Sequence, residues 1–202
     1  MPRTDDSSPY DRPLTENERS ASLIRETEQR ATLGRAAAEG VPLGAIAGIV
    51  YAAANVAAMV LLGNSPLLPL RRFASVLLGP AELTDARPGT PIIAGILVHL
   101  VLSAIFGLGY GLFSVRFMPR ERRVRASRSL PLGLLYGALL WIVNYQIAAR
   151  LWYPWFLEAN QVLELALHVF FFGAPLALLH TMADRRTRRH LVRDAAAIDS
   201  PA

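Results

Sequence analysis

Four stretches of this sequence, at about 42–63, 91–115, 130–151 and 161–182, are apolar and nearly free of charge. A helix rises about 1.5 Å per residue and needs roughly 20 residues to cross ~30 Å of hydrocarbon. Each stretch meets that length. The fold they predict is all-α, a four-span transmembrane helical bundle. Composition agrees: of 202 residues, 52% are hydrophobic and 18% charged, with a mean hydropathy of +0.30. An average soluble domain carries about 25% charged residues. An ordinary single-core soluble enzyme is therefore excluded.

The charge that exists is gathered outside the spans. It divides the chain into a polar N-terminal segment at 1–40, a transmembrane domain at 41–183 and a basic tail at 184–202. Thr15 and Glu18 are spaced as a capping box, which predicts a short helix in the N-terminal segment. The polar length ahead of the first span argues that this span is no signal peptide. There is no cysteine, which excludes disulfide frameworks, thiol chemistry and iron–sulfur ligation.

All 21 basic residues are arginine, a bias that fits a GC-rich bacterial genome. Six arginines precede the first span, six lie between Arg116 and Arg128, and five follow Met182. The two other connections hold Arg71, Arg72 and Arg87 in one and Arg150 at the edge of the other. Positive-inside asymmetry therefore puts both termini and the middle loop in the cytoplasm. The arginine-rich segments then rest on anionic lipid, so the pI near 10.2 reports membrane orientation and not nucleic-acid binding. Trp152, Tyr153, Trp155 and Phe156 form an outer aromatic belt in this arrangement.

The first outer connection carries a helical pattern at 66–79. Leu67, Leu70, Phe73, Ala74, Leu77 and Leu78 recur on one face, opposite Arg71 and Ser75, and Gly79-Pro80 ends the run. This describes a short interfacial helix, or a lid over the outer face.

The first and third spans share a motif, P-L-G-x3-G-x6-N. It reads Pro42-Leu43-Gly44, Gly48 and Asn55 in one, and Pro131-Leu132-Gly133, Gly137 and Asn144 in the other. The second and fourth spans each carry one histidine at similar depth, His99 and His168. Two copies of a hairpin related by an axis along the membrane normal account for both observations. Residues at i, i+4 and i+11 lie within about 40° on a helix, so the glycines and asparagine of each motif share a face. Gly107 and Gly111 add a third pair on the second span. Glycines at this spacing predict close backbone packing in the cytoplasmic half.

The outer half carries the polar residues. Asn55, His99, Asn144 and His168 each fall roughly 10–12 Å below the outer boundary, with Glu164 one turn above His168. Ser103 and Tyr110 continue the His99 stripe. Polar groups at this depth are costly and should face the interior. Three readings follow. The layer is a structural hydrogen-bonded network, with Glu164 and Arg150 near the outer interface either paired or reaching toward water, and the chain is a scaffold or accessory protein. Or it is a ligand or proton site in a small channel, transporter or pH sensor, acting as a homo-oligomer. Or His99 and His168 ligate haem or another metal, although no third histidine lies at that depth; His180 and His190 read as cytoplasmic surface. No cofactor is otherwise implied.

Over about 91–186 the chain resembles the YagU-like family of uncharacterised bacterial inner-membrane proteins. The residues that carry this are His99 with Ser103, Phe106 and Tyr110, then Gly133 to Leu139, then Trp155, Glu158, Glu164 and His168. Gly44 and Gly48 extend it to the first span. The resemblance implies a small multi-pass inner-membrane protein and brings no catalytic residues with it. No phosphate-binding glycine loop, nucleophile elbow or HExxH is present, so no enzyme is expected.

Overall fold

A computed structural model of the protein describes residues 15–83 and 90–198. Every regular element among them is helical. The chain runs from α1 (Glu16–Leu61) to the short α2 (Leu68–Leu78), a 3-10 turn (Pro80–Leu83) and α3 (Thr90–Phe117). A single helical turn (Arg120–Arg123) leads into α4 (Ala126–Trp152). After a second 3-10 turn (Pro154–Glu158), α5 starts as Gln161–Ala166 and continues through Leu167–Gly173 into Ala174–Ile198. Four of these helices, α1, α3, α4 and α5, are long and apolar enough to cross a membrane. The chain is an all-α, multi-pass membrane protein.

The capping box forms as the spacing predicts. The Glu18 N–H donates to Thr15 Oγ1 at 3.3 Å, and the Thr15 N–H donates to the Glu18 carboxylate at 2.8 Å. The helix it starts is not short, however. It runs 46 residues without a break, through Pro42 and into the first span. At about 1.5 Å per residue it is far longer than the ~30 Å hydrocarbon layer, so its polar first half projects beyond the membrane. Pro42 brings no N–H and leaves the Ala38 carbonyl without its usual donor. Close packing on both sides of Pro42 keeps the helix continuous: a Cβ at Gly40 or Gly44 would strike the α3 backbone at Gly107 or Ser103.

The bundle is two hairpins, α1 with α3 and α4 with α5, joined chiefly where α1 meets α5. Glycine seams close each hairpin, as their spacing predicts. In the first, a Cβ at Gly107 would meet the Gly40 carbonyl, one at Gly111 the Ala36 carbonyl, and one at Gly48 the Ser103 side chain. In the second, Gly133 faces the Gly173 carbonyl and the Ala177 methyl, while Gly137 faces the His168 carbonyl. No side chain fits between these backbones. Aliphatic side chains cover the outside: Ile93, Leu97, Val101 and Ile105 form one exposed stripe on α3, the face a helix turns to lipid.

Two departures from regular α geometry lie in the second hairpin. Ile142–Ala148 of α4 and Leu167–Gly173 of α5 are π-helical, each inserting extra chain into a helix that otherwise packs like its counterpart. Residues His99, Ser103 and Gly107 of α3 meet the first hairpin's glycines at steps of four. Their counterparts on α5 are His168, Gly173 and Ala177, so the first step there is five. One added residue in α5 absorbs the difference.

The short helix α2 is docked on the bundle, and residues from both of the faces read from the sequence lie on its buried side. Pro69, Arg71, Ala74 and Ser75 are buried, whereas Leu67, Leu77 and Leu78 are exposed. In contact with lipid the leucines are at home outside, and the polar groups turn inward to find partners. Gly95 of α3 makes the approach possible, since a Cβ there would strike the Leu70 carbonyl of α2.

Candidate functional site

Glu164 anchors the polar layer. It lies in the first turn of α5, where the helix N-terminus favours negative charge, and its side chain is only 1% exposed. Tyr51 of α1 donates its hydroxyl to Glu164 Oε2 at 2.8 Å. Arg72 of α2 donates Nη1 to Oε1 at 3.2 Å and closes a buried ion pair. The sequence leaves Arg150 either paired with Glu164 or reaching toward water. Arg150 donates to Gln146 on the exposed side of α4, because the charge from α2 arrives inside the bundle.

Both histidines are held by carbonyl groups that can only accept. His99 donates through Nε2 to the Gly48 carbonyl at 2.8 Å. His168 donates through Nδ1 to the Glu164 carbonyl at 2.7 Å, one turn up its own helix. Its Nε2 faces the Asn144 amide Nδ2 at 3.3 Å, so Asn144 is the donor there. The rings are packed as firmly as they are bonded. His99 stacks on Phe73 of α2, with centroids 4.2 Å apart, and on Tyr51, at 5.6 Å, and those two rings also meet each other. The edge of Tyr51 also meets His168 at 4.9 Å.

His99, Asn144 and His168 therefore line one cavity together with Tyr51. Glu164 sits behind Tyr51. Asn55 does not join them: it is buried at 2% exposure beside Tyr51, and its Oδ1 has no partner among the described residues. The two asparagines of the shared motif thus occupy different settings, Asn55 on regular α-helix and Asn144 on the π turn. The altered rotation of a π turn re-aims side chains on it.

The cavity measures about 220 Å³ and its walls are mostly apolar, with Phe106, Leu140 and Phe172 below the polar residues. Phe73 and Val76 of α2 and Phe156 of the Pro154–Glu158 turn roof it. A hydrogen bond from Trp155 Nε1 to Ser75 Oγ, 2.8 Å, ties that turn to α2. α1 and α5 pack together, whereas α3 and α4, which both line the cavity, touch each other only lightly.

Tyr51, Arg72, Phe73 and Trp155 were not among the sequence candidates, although three of them bond or stack on residues that were. The opposite end of the bundle holds a second polar cluster. Arg123 pairs with Asp184 at 3.3 Å, and Ser129 shares a hydroxyl contact of 2.6 Å with Thr181. His180, expected on the surface, is buried at 8% exposure with its ring 5.0 Å from that of Tyr110. The end of the bundle continues past Met182 as packed helix, so the position is still interior. Among the described residues no three of His, Cys, Asp and Glu are grouped as metal ligands. Compared with family models, with curated proteins and with solved structures, the chain shows no match.

Proposed function

We propose that this chain is a structural or accessory protein of a bacterial inner membrane, with both termini cytoplasmic, and not an enzyme. Its outer polar layer is a clamp that locks α2 and the two hairpins together. One observation carries this reading: the ionisable groups of the layer are bonded to one another or to the backbone. Glu164 is shared by Arg72 and Tyr51, and His99 and His168 are each spent on a carbonyl. The glycine seams bring backbones together below the layer, which weighs against a permeation path through a single copy.

The arginine asymmetry supports the orientation, and the YagU-like resemblance over 91–186 supports the bacterial inner membrane. The matched glycine seams support descent of the two hairpins from one duplicated unit, with the extra residue in α5 a later insertion. Arg125, Arg185, Arg188, Arg189 and Arg193 line one groove at the cytoplasmic end, a seat for anionic lipid. An accessory role is exercised through a second copy or another membrane protein.

The clamp is tested on the ion pair. Removing one partner of a buried pair costs about 3–5 kcal/mol, while replacing both by apolar groups is often neutral. Glu164→Leu or Arg72→Leu alone should lower the melting temperature in detergent sharply, and the double replacement should restore most of it. Single variants that melt like the unmodified protein would remove the basis for a clamp.

A further inference from the structure

We propose that the cavity between α3 and α4 is a binding site for a neutral, membrane-soluble molecule that carries a ring and one hydrogen-bond donor, of the phenol class. The inference goes beyond the clamp, whose bonds form the cavity's polar rim. Size is the first argument. An apolar cavity of about 150 Å³ holds benzene, and this one, at about 220 Å³, has room for a substituted ring. Its walls supply aromatic faces, Phe73, Phe106 and Phe172 among them, and exclude an ion.

The second argument is the sense of the hydrogen bonds left over. Because His99 Nε2 donates to the Gly48 carbonyl, the neutral ring keeps Nδ1 as an acceptor. Asn144 spends its Nδ2 on His168 and keeps Oδ1, also an acceptor. Among the described residues neither atom has a partner, and both residues line the cavity. A hydroxyl entering here finds acceptors waiting, whereas an ether or a ketone does not. The third argument is access. The two helices touch only lightly where they line the cavity, beside the exposed aliphatic stripe of α3, which favours entry of the ligand from the bilayer over entry from water.

The test uses the whole, unmodified protein in detergent. A diazirine-bearing alkylphenol serves as photolabel, with 4-propylphenol and 4-propylanisole as competitors and labelled peptides mapped by mass spectrometry. The anisole matches the phenol in shape but has no donor. Label should fall on α3 and α4 around Leu102–Phe106 and Leu140–Ala148, and the phenol should compete at a concentration about 3- to 10-fold lower than the anisole, the effect of one neutral hydrogen bond. Filling the cavity with Ala148→Phe or Leu102→Trp should abolish the label. Equal competition by the two compounds would overturn the proposal and leave the seat of a plain acyl chain. Label elsewhere, or unchanged in a folded filled variant, would overturn it too; should neither variant fold, the competition ratio on unmodified protein still decides. The clamp is judged by melting of Arg72 and Glu164 variants, so either proposal can fail without the other.

Discussion

Tyr51 stands on α1 between Val50 and three alanines, and from there it bonds Glu164 and touches the rings of both His99 and His168. A single hydroxyl thus joins the ion pair to the stacked rings. Tyr51→Phe keeps the ring and removes only the bond to the carboxylate. A hydrogen bond to a charged group contributes about 1.5–3 kcal/mol, so the variant should fold and melt measurably lower in detergent, by less than Glu164→Leu. An unchanged melting temperature would mean that Arg72 alone satisfies Glu164. The residues of this layer differ in how far they can be read from sequence. His99, His168, Asn144 and Glu164 declare themselves because a polar group in a span needs a partner. Tyr51 and Arg72 do not. A tyrosine in an apolar helix reads as packing, and an arginine in a loop reads as a solvated charge. Ninety-two positions separate Arg72 from the carboxylate it meets, and only the docking of α2 brings them together.

At the level of helices the glycine seams carry the sharpest expectation. The obstacle at Gly137 is the His168 carbonyl, and at Gly44 the Ser103 carbonyl, both backbone atoms that cannot swing aside. Gly44→Leu or Gly137→Leu should separate a hairpin and lower the melting temperature severely, with loss of the monodisperse detergent peak. Leu135→Ile, on a side chain 53% exposed to the lipid side, should change little. Gly34→Ala is the opposite control. Nothing lies within 4 Å of a Cβ there, and an exposed helix gains roughly 0.5–1 kcal/mol when alanine replaces glycine. Equal behaviour of the seam and control variants would mean the seams are not what closes the hairpins. These seams were legible because close approach requires small residues at fixed spacing. The π turns were not, since Ile142–Ala148 and Leu167–Gly173 contain no residue type reserved for such geometry. Asn55 and Asn144, equivalent in the motif, consequently part company in space. The buried side of α2 is not legible for another reason: Arg71 and Ser75 lie inward beside Ala74 while Leu67, Leu77 and Leu78 are exposed, and apolar spacing alone does not say which face of a helix beside lipid packs on protein.

For the molecule as a whole, the charges divide more unevenly in space than along the chain. At one end, Arg125, Arg185, Arg188, Arg189 and Arg193 gather around a groove, with the polar extension of α1 beside the α3–α4 turn. At the other end, Arg72 is neutralised within the bundle by Glu164, and Arg71 is buried at 4% exposure. Positive-inside orientation depends on arginines that meet the lipid surface and cytoplasm, and those two are withdrawn from it. Folding therefore deepens the asymmetry already present in the counts. With four spans, one inversion reverses both termini together. Reporter fusions after Ala202 should be active only in the cytoplasmic sense, and fusions at Glu158 only in the outer sense. The discriminating variant is charge removal: changing Arg185, Arg186, Arg188 and Arg189 to glutamine should weaken the C-terminal preference, whereas Arg72→Leu should leave orientation intact while lowering stability. An outward signal at Ala202 in the unmodified protein would invert the assignment. The cavity would then open within the cytoplasmic leaflet, and the arginine groove would face away from the anionic lipid it is proposed to bind.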